Sequence, residues 1–167
     1  NISADIHIRN IMEKGQSLSM LLSNLIKAIE QAVPSCMSLG SKEIWVVQGD
    51  TTSALAAGLV GFTRGVAIAH VEAGLRTFDM HSPFPEELNR KALALITSLH
   101  FTPTEGTRRN LVQEGIDSSE IFVTGNTGID AVRRVSEGLH QFDLEAIKQF
   151  VHLDSAMLIL VTMHRRE

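Results

Sequence analysis

The sequence is short of several things that would otherwise announce a function. It has one cysteine, Cys36, so it can close no internal disulfide and suits a reducing compartment. It lacks a basic excess: 15 Lys and Arg stand against 19 Asp and Glu, a net charge of −4. No field is therefore expected for nucleic acid or for an anionic membrane surface. No apolar run approaches bilayer length, and no signal-peptide pattern opens the chain, so a cytoplasmic location is expected. Heptads, internal repeats and low-complexity tracts are missing. So are the glycine-rich fingerprints of Walker and dinucleotide sites and the Ser or Cys nucleophile elbow. The seven histidines show neither HxxxH nor HxH spacing, so neither a metal nor another cofactor is expected.

What remains is 167 residues, 44% apolar and 20% charged, enough for one soluble domain with a real core. Asn1 is no initiator methionine and the chain stops at Arg165-Arg166-Glu167, so a segment of a larger protein is expected.

Apolar residues at Leu18, Leu21, Leu22, Leu25, Ile26, Ile29 and Val33 predict an amphipathic helix ending near Pro34. Short apolar runs at 43–47, 66–71, 100–103, 121–124 and 157–162 predict strands. Helices are predicted between them at 52–62, from Pro85 to about 98, from the N-cap Thr104 to Gly115, at 129–135 and more weakly at 144–151. This alternation signifies βαβ units: an α/β, Rossmann-like parallel sheet with helices on both faces. In such sheets ligands bind beyond the carboxyl ends of the strands. There the sequence places Gly49-Asp50-Thr51, Glu72-Ala73-Gly74, Gly125-Asn126-Thr127 and His164-Arg165.

Asp50 has two readings, a cap for the helix starting near Thr52 or a catalytic acid. Glu72 shifts the balance. It leaves the strand VAIAHV two residues after His70, on the same face, with no helix to cap. Carboxylates on neighbouring strand exits would share one crevice, where paired acids can divide acid and base roles. Glu86 and Arg90, four apart, could pair on one helix face, although an exposed pair of that kind is worth little. His164, at a strand exit before two arginines, could meet phosphate.

The motifs VVQGDTTSALAA, HVEAGLRTFDMHSPFPEELNR, HFTPTEGTRRNL, IFVTGNTGIDA and LVTMHRRE follow one another in an order and spacing that resemble the non-hydrolysing UDP-N-acetylglucosamine 2-epimerases of bacteria. The resemblance implies a two-domain glycosyltransferase-B-type fold with the nucleotide sugar in the interdomain cleft. It implies an isomerase that interconverts UDP-GlcNAc and UDP-ManNAc by eliminating UDP to a 2-acetamidoglucal and adding it back, in the service of cell-surface polysaccharide biosynthesis. By motif it assigns catalysis to Asp50, Glu72, Glu86 and His164, and substrate binding to Arg90, Arg165 and Asn126. Glu86 and Arg165 also match positions that contact a second, activating UDP-GlcNAc in some bacterial members. The full-length enzyme is expected to be a homodimer.

The sequence departs from the family pattern at both ends. The opening strand with its GTRPE-like loop, and most of the second domain, have no counterpart here. Residues 1–140 are therefore expected to form a partial N-terminal domain. Residues 141–167 are expected to be a linker helix and the first strand of a truncated second one. Such a fragment is expected to be inactive alone. A glycosyltransferase of similar fold and a non-catalytic sugar-nucleotide-binding fragment are the alternatives.

Overall fold

In the computed structural model the described residues are 3–34 and 43–138. The predicted helix at 144–151, the strand at 157–162, and His164 and Arg165 lie outside them. The chain divides into two compact units, Asn1–Asn126 and Thr127–Glu167.

The first unit alternates as the apolar runs require. Helix α1 (Leu18–Ala32) starts at Ser17, whose hydroxyl accepts from Met20 N–H. It precedes β1 (Ile44–Gln48), α2 (Thr52–Thr63), β2 (Ala67–Val71), α3 (Glu86–Ile96), β3 (Leu99–Thr102), α4 (Glu105–Gln113) and β4 (Ile121–Val123). The four strands are parallel and lie in chain order, β1-β2-β3-β4. Thr104 caps α4 through a reciprocal bond with Thr107, as its position before the helical pattern predicts.

Right-handed crossovers between strands laid down in chain order put successive helices on one face. The packing agrees. Val47 and Ile68 meet Ala54, Leu55 and Leu93, so α2 and α3 cover the same side of β1 and β2. Ile121, in register with His100, extends that face under Leu111 of α4. Helix α1 packs on α2 through Leu25, Ile29, Ala56 and Val60, and Arg64 fastens the pair. The Arg64 guanidinium bonds the Glu30 and Val33 carbonyls and the Glu30 carboxylate while lying 5.6 Å over the Trp45 ring. The expected helices thus cover one face among the described residues. On the other face Ile44, Val46 and Phe122 stand exposed.

In the second unit, α5 (Thr127–Gly138) is the described element. Its Ile129, Val132 and Val135 recur at three-residue steps.

Candidate active site

The carboxyl edge of the sheet is assembled by backbone geometry before any side chain acts. Gly49 leaves β1 at φ 74° and donates its N–H to the Val71 carbonyl, so the exits of β1 and β2 stay together. Glu72 follows at φ 69°, in the left-handed region that costs a non-glycine residue about 1–2 kcal/mol. A Cβ at position 49 would stand 3.9 Å from Glu72 Oε2, so the Glu72 carboxylate lies over the Gly49 turn. Beneath it, His70 Nε2 meets the Gly49 carbonyl at 2.8 Å. A carbonyl only accepts, so Nε2 carries the proton. Burial holds the His70 pKa below its ordinary value, keeping the ring neutral in this role.

Asp50 comes next, and the structure sets its capping reading aside. The cap of α2 is Thr51, whose Oγ1 accepts from Ala54 N–H at 3.2 Å. The Asp50 carboxylate turns instead to α3, where Arg90 Nη1 donates to Oδ2 at 2.7 Å. Asn89 Nδ2 holds the Asp50 carbonyl at 2.8 Å. The carboxylate that meets Arg90 from its own helix is Glu87, three residues away. Its Oε2 accepts from Nη2 at 2.6 Å and from Nε at 3.0 Å. Burial alone would raise the Glu87 pKa. The hydrogen bonds from Arg90 and from the Thr77 and Phe78 N–H groups outweigh it and hold the carboxyl below its usual range.

Glu86 lines a groove of about 290 Å³ together with Asp50, Thr51, Thr52, Pro85 and Asn89. Asp50 and Glu86 therefore open on one space, and Glu72 sits at the same edge one strand over. Asn126 lies three residues beyond β4 at this edge. The segment after Glu72 is pinned to α4. Arg76 makes two bonds to the Glu114 carboxylate, at 2.8 and 2.6 Å, and Asn110 Nδ2 bonds the Gly74 carbonyl at 2.9 Å.

Sequence reasoning passed over His70, Glu87 and Asn89 as site residues. The i,i+3 spacing of Glu87 and Arg90 was a signal open to reading. The carbonyl contacts of His70 and Asn89 leave no mark in a sequence. Chemically, the edge offers two carboxylates on one groove, Asp50 and Glu86, with the Arg90 guanidinium bound to Asp50, a set suited to proton transfer beside an anionic leaving group.

Comparison with known proteins identifies the family of the chain. The profile of the UDP-N-acetylglucosamine 2-epimerase family matches residues 1–167. The UDP-N-acetylglucosamine 2-epimerase of Neisseria meningitidis is 38% identical over 174 residues, covering 99% of this chain and 44% of its own. That of Escherichia coli K12 is 40% identical over 163 residues, covering 95% of this chain and 42% of its own. The crystal structure of the Neisseria meningitidis UDP-GlcNAc 2-epimerase bound to UDP-GlcNAc superposes with a TM-score of 0.67 at 37% identity. It covers 87% of this chain and 38% of that one. The chain spans 40% to 44% of the length of such curated relatives. It belongs to the UDP-N-acetylglucosamine 2-epimerase family.

Proposed function

We propose that the whole protein is a UDP-GlcNAc 2-epimerase and that this chain supplies the acid-bearing edge of its site. One carboxylate of the set Asp50, Glu72 and Glu86 removes the proton from C-2 while the C-1–oxygen bond breaks and UDP departs with the electron pair. UDP then adds back at C-1 of the 2-acetamidoglucal, and C-2 is reprotonated on the opposite face. Arg90, with His164 and Arg165 by motif, supports the charge on the diphosphate, and Asn126 contacts the substrate. The observation carrying this reading is that Asp50 and Glu86 line one groove, with Arg90 held against Asp50.

UDP-GlcNAc is the substrate, and a second UDP-GlcNAc meeting Glu86 and Arg165 is an activator. The enzyme works in the cytoplasm as a homodimer. Residues 1–140 belong to its N-terminal domain, and residues 141–167 begin the second.

Incubating the whole protein with UDP-GlcNAc in deuterium oxide tests the reading. UDP-ManNAc carrying deuterium at C-2 is the expected product. Sugar transfer to an acceptor, or binding without turnover, would replace this reading with a glycosyltransferase or a binding module. The 167-residue chain alone is expected to bind weakly and to turn over nothing, because half a cleft does not exclude water.

A further inference from the structure

The motifs assign no role to Glu87, yet it is the most enclosed carboxylate at this edge. It is 0% exposed, whereas the Asp50 side chain is 32% exposed. Burying a carboxylate is costly unless hydrogen bonds replace its water. Here four N–H groups do so: Nε and Nη2 of Arg90, and the backbone N–H of Thr77 and Phe78. The guanidinium is planar and its N–H directions are fixed. Once Nε and Nη2 are both engaged on Glu87, the plane is set, and Nη1 can point in only one direction. That direction is Asp50 Oδ2, at 2.7 Å.

From this arrangement we infer that Glu87 is a positioning residue: it orients Arg90, and through Arg90 it fixes the Asp50 carboxylate. The inference rests on the epimerase reading for its catalytic consequence, and on the geometry alone for the placement of Asp50. The same carboxylate holds the middle of the segment between β2 and α3, where Thr77 Oγ1 closes onto the Asp79 and Ser82 carbonyls. Segment 77–82 and Asp50 are therefore tied to one pair of oxygens.

A purely architectural role would fasten the Thr77–Phe78 segment and leave Asp50 indifferent. Two measurements separate the possibilities. The first is a crystal structure of Glu87→Gln, which keeps the shape but leaves one neutral acceptor oxygen for the N–H groups of Arg90, Thr77 and Phe78. Arg90 Nη1 is expected to lie beyond hydrogen-bond reach of Asp50 Oδ2; an unchanged contact overturns the inference. The second is a kinetic cycle in the whole protein with Glu87→Gln, Arg90→Lys and the double variant. Glu87→Gln is expected to lower kcat about 10²-fold, because small misplacements of reacting groups carry that cost, with KM within about threefold. The double variant is expected within about threefold of Arg90→Lys, because the two residues act as one unit. Effects that multiply, or an unaltered kcat in Glu87→Gln, overturn the inference.

If Glu87→Gln does not fold, Glu87→Asp takes its place in both arms with the same expectations, since its shorter arm cannot reach Arg90 and the Phe78 N–H together. A wild-type protein without epimerase activity would reject the functional reading, and the Arg90–Asp50 distance would still decide the positioning.

Discussion

His70 and His100 are register partners on adjacent parallel strands, and both are buried. Burial, with His70 as a neighbour, lowers the His100 pKa to about 4, and burial lowers that of His70 as well. The unfolded chain takes up these protons near pH 6.5, whereas the folded one resists them until lower pH. The neutral rings therefore contribute stability above pH 6.5 that is lost as pH falls toward 4. Urea unfolding of the chain is expected to show stability falling by about 2 kcal/mol between pH 7.5 and pH 5 from His100 alone. Glu87 and Glu114, whose pKa values are lowered, begin to matter only below about pH 4.5. His100→Leu should flatten the slope over the upper window. A wild-type profile level from pH 7.5 to 5 would contradict this account.

Asp50→Asn and Glu72→Gln are each nearly isosteric and remove an ionisable group. In the whole protein, kcat is expected to fall by about 10²-fold or more, with a much smaller change in KM. Steady-state assays with UDP-GlcNAc measure both constants. Normal turnover in the two variants would remove these carboxylates from the chemistry.

The left-handed backbone at Glu72 gives a stability prediction of opposite sense. Asparagine tolerates that conformation better than glutamate. Glu72→Asn is expected to stabilise the fold by about 0.5–1 kcal/mol, visible as a higher thermal midpoint, while activity is lost. A lower midpoint would mean that the glutamate side chain contributes more to the fold than its backbone strain removes.

Gly74 combines φ 83° with a close approach: a Cβ there would stand 2.3 Å from the Thr107 carbonyl oxygen. Gly65 has φ 73° and nothing within 4 Å. Gly65→Ala should therefore cost about 1 kcal/mol from backbone conformation alone. Gly74→Ala should cost about 3 kcal/mol or more, because α4 would have to move away from the β2 exit. Equal losses in denaturant titrations of the two variants would show that the contact with Thr107 is easily relieved.

The elements were legible because each buries a recognisable pattern, such as the stripe from Leu18 to Val33 or the short run VAIAHV. Their arrangement was less so. Helices on both faces is the general expectation for a parallel sheet, but strand order decides the matter, and it is set by long-range pairing such as Val47 with His70. The strand exits read from the sequence place Asp50 and Glu72 at the carboxyl edge, as β1 and β2 end at Gln48 and Val71. The cap was harder to place, since Asp50 and Thr51 are both good N-caps and only the pull of Arg90 separates them. The neighbouring acids Glu86 and Glu87 posed the same difficulty. Both suit a helix start, and the turn of α3 alone determines which faces the groove and which is sealed beneath it.

The chain-ordered sheet also gives the site a history. Each strand can join the edge left by the one before it, so the sheet can grow in the direction in which the chain is synthesised. Asp50 and Glu72 come together as soon as β1 and β2 pair. Arg90 lies 18 residues downstream of Glu72, and at roughly 5–20 residues per second it leaves the ribosome about one to four seconds later. For that interval the two acids share an edge without their guanidinium. The arrival of α3, bringing Glu87, Asn89 and Arg90 within about one turn of helix, covers β1 and β2 with Leu93 and supplies the guanidinium in one event.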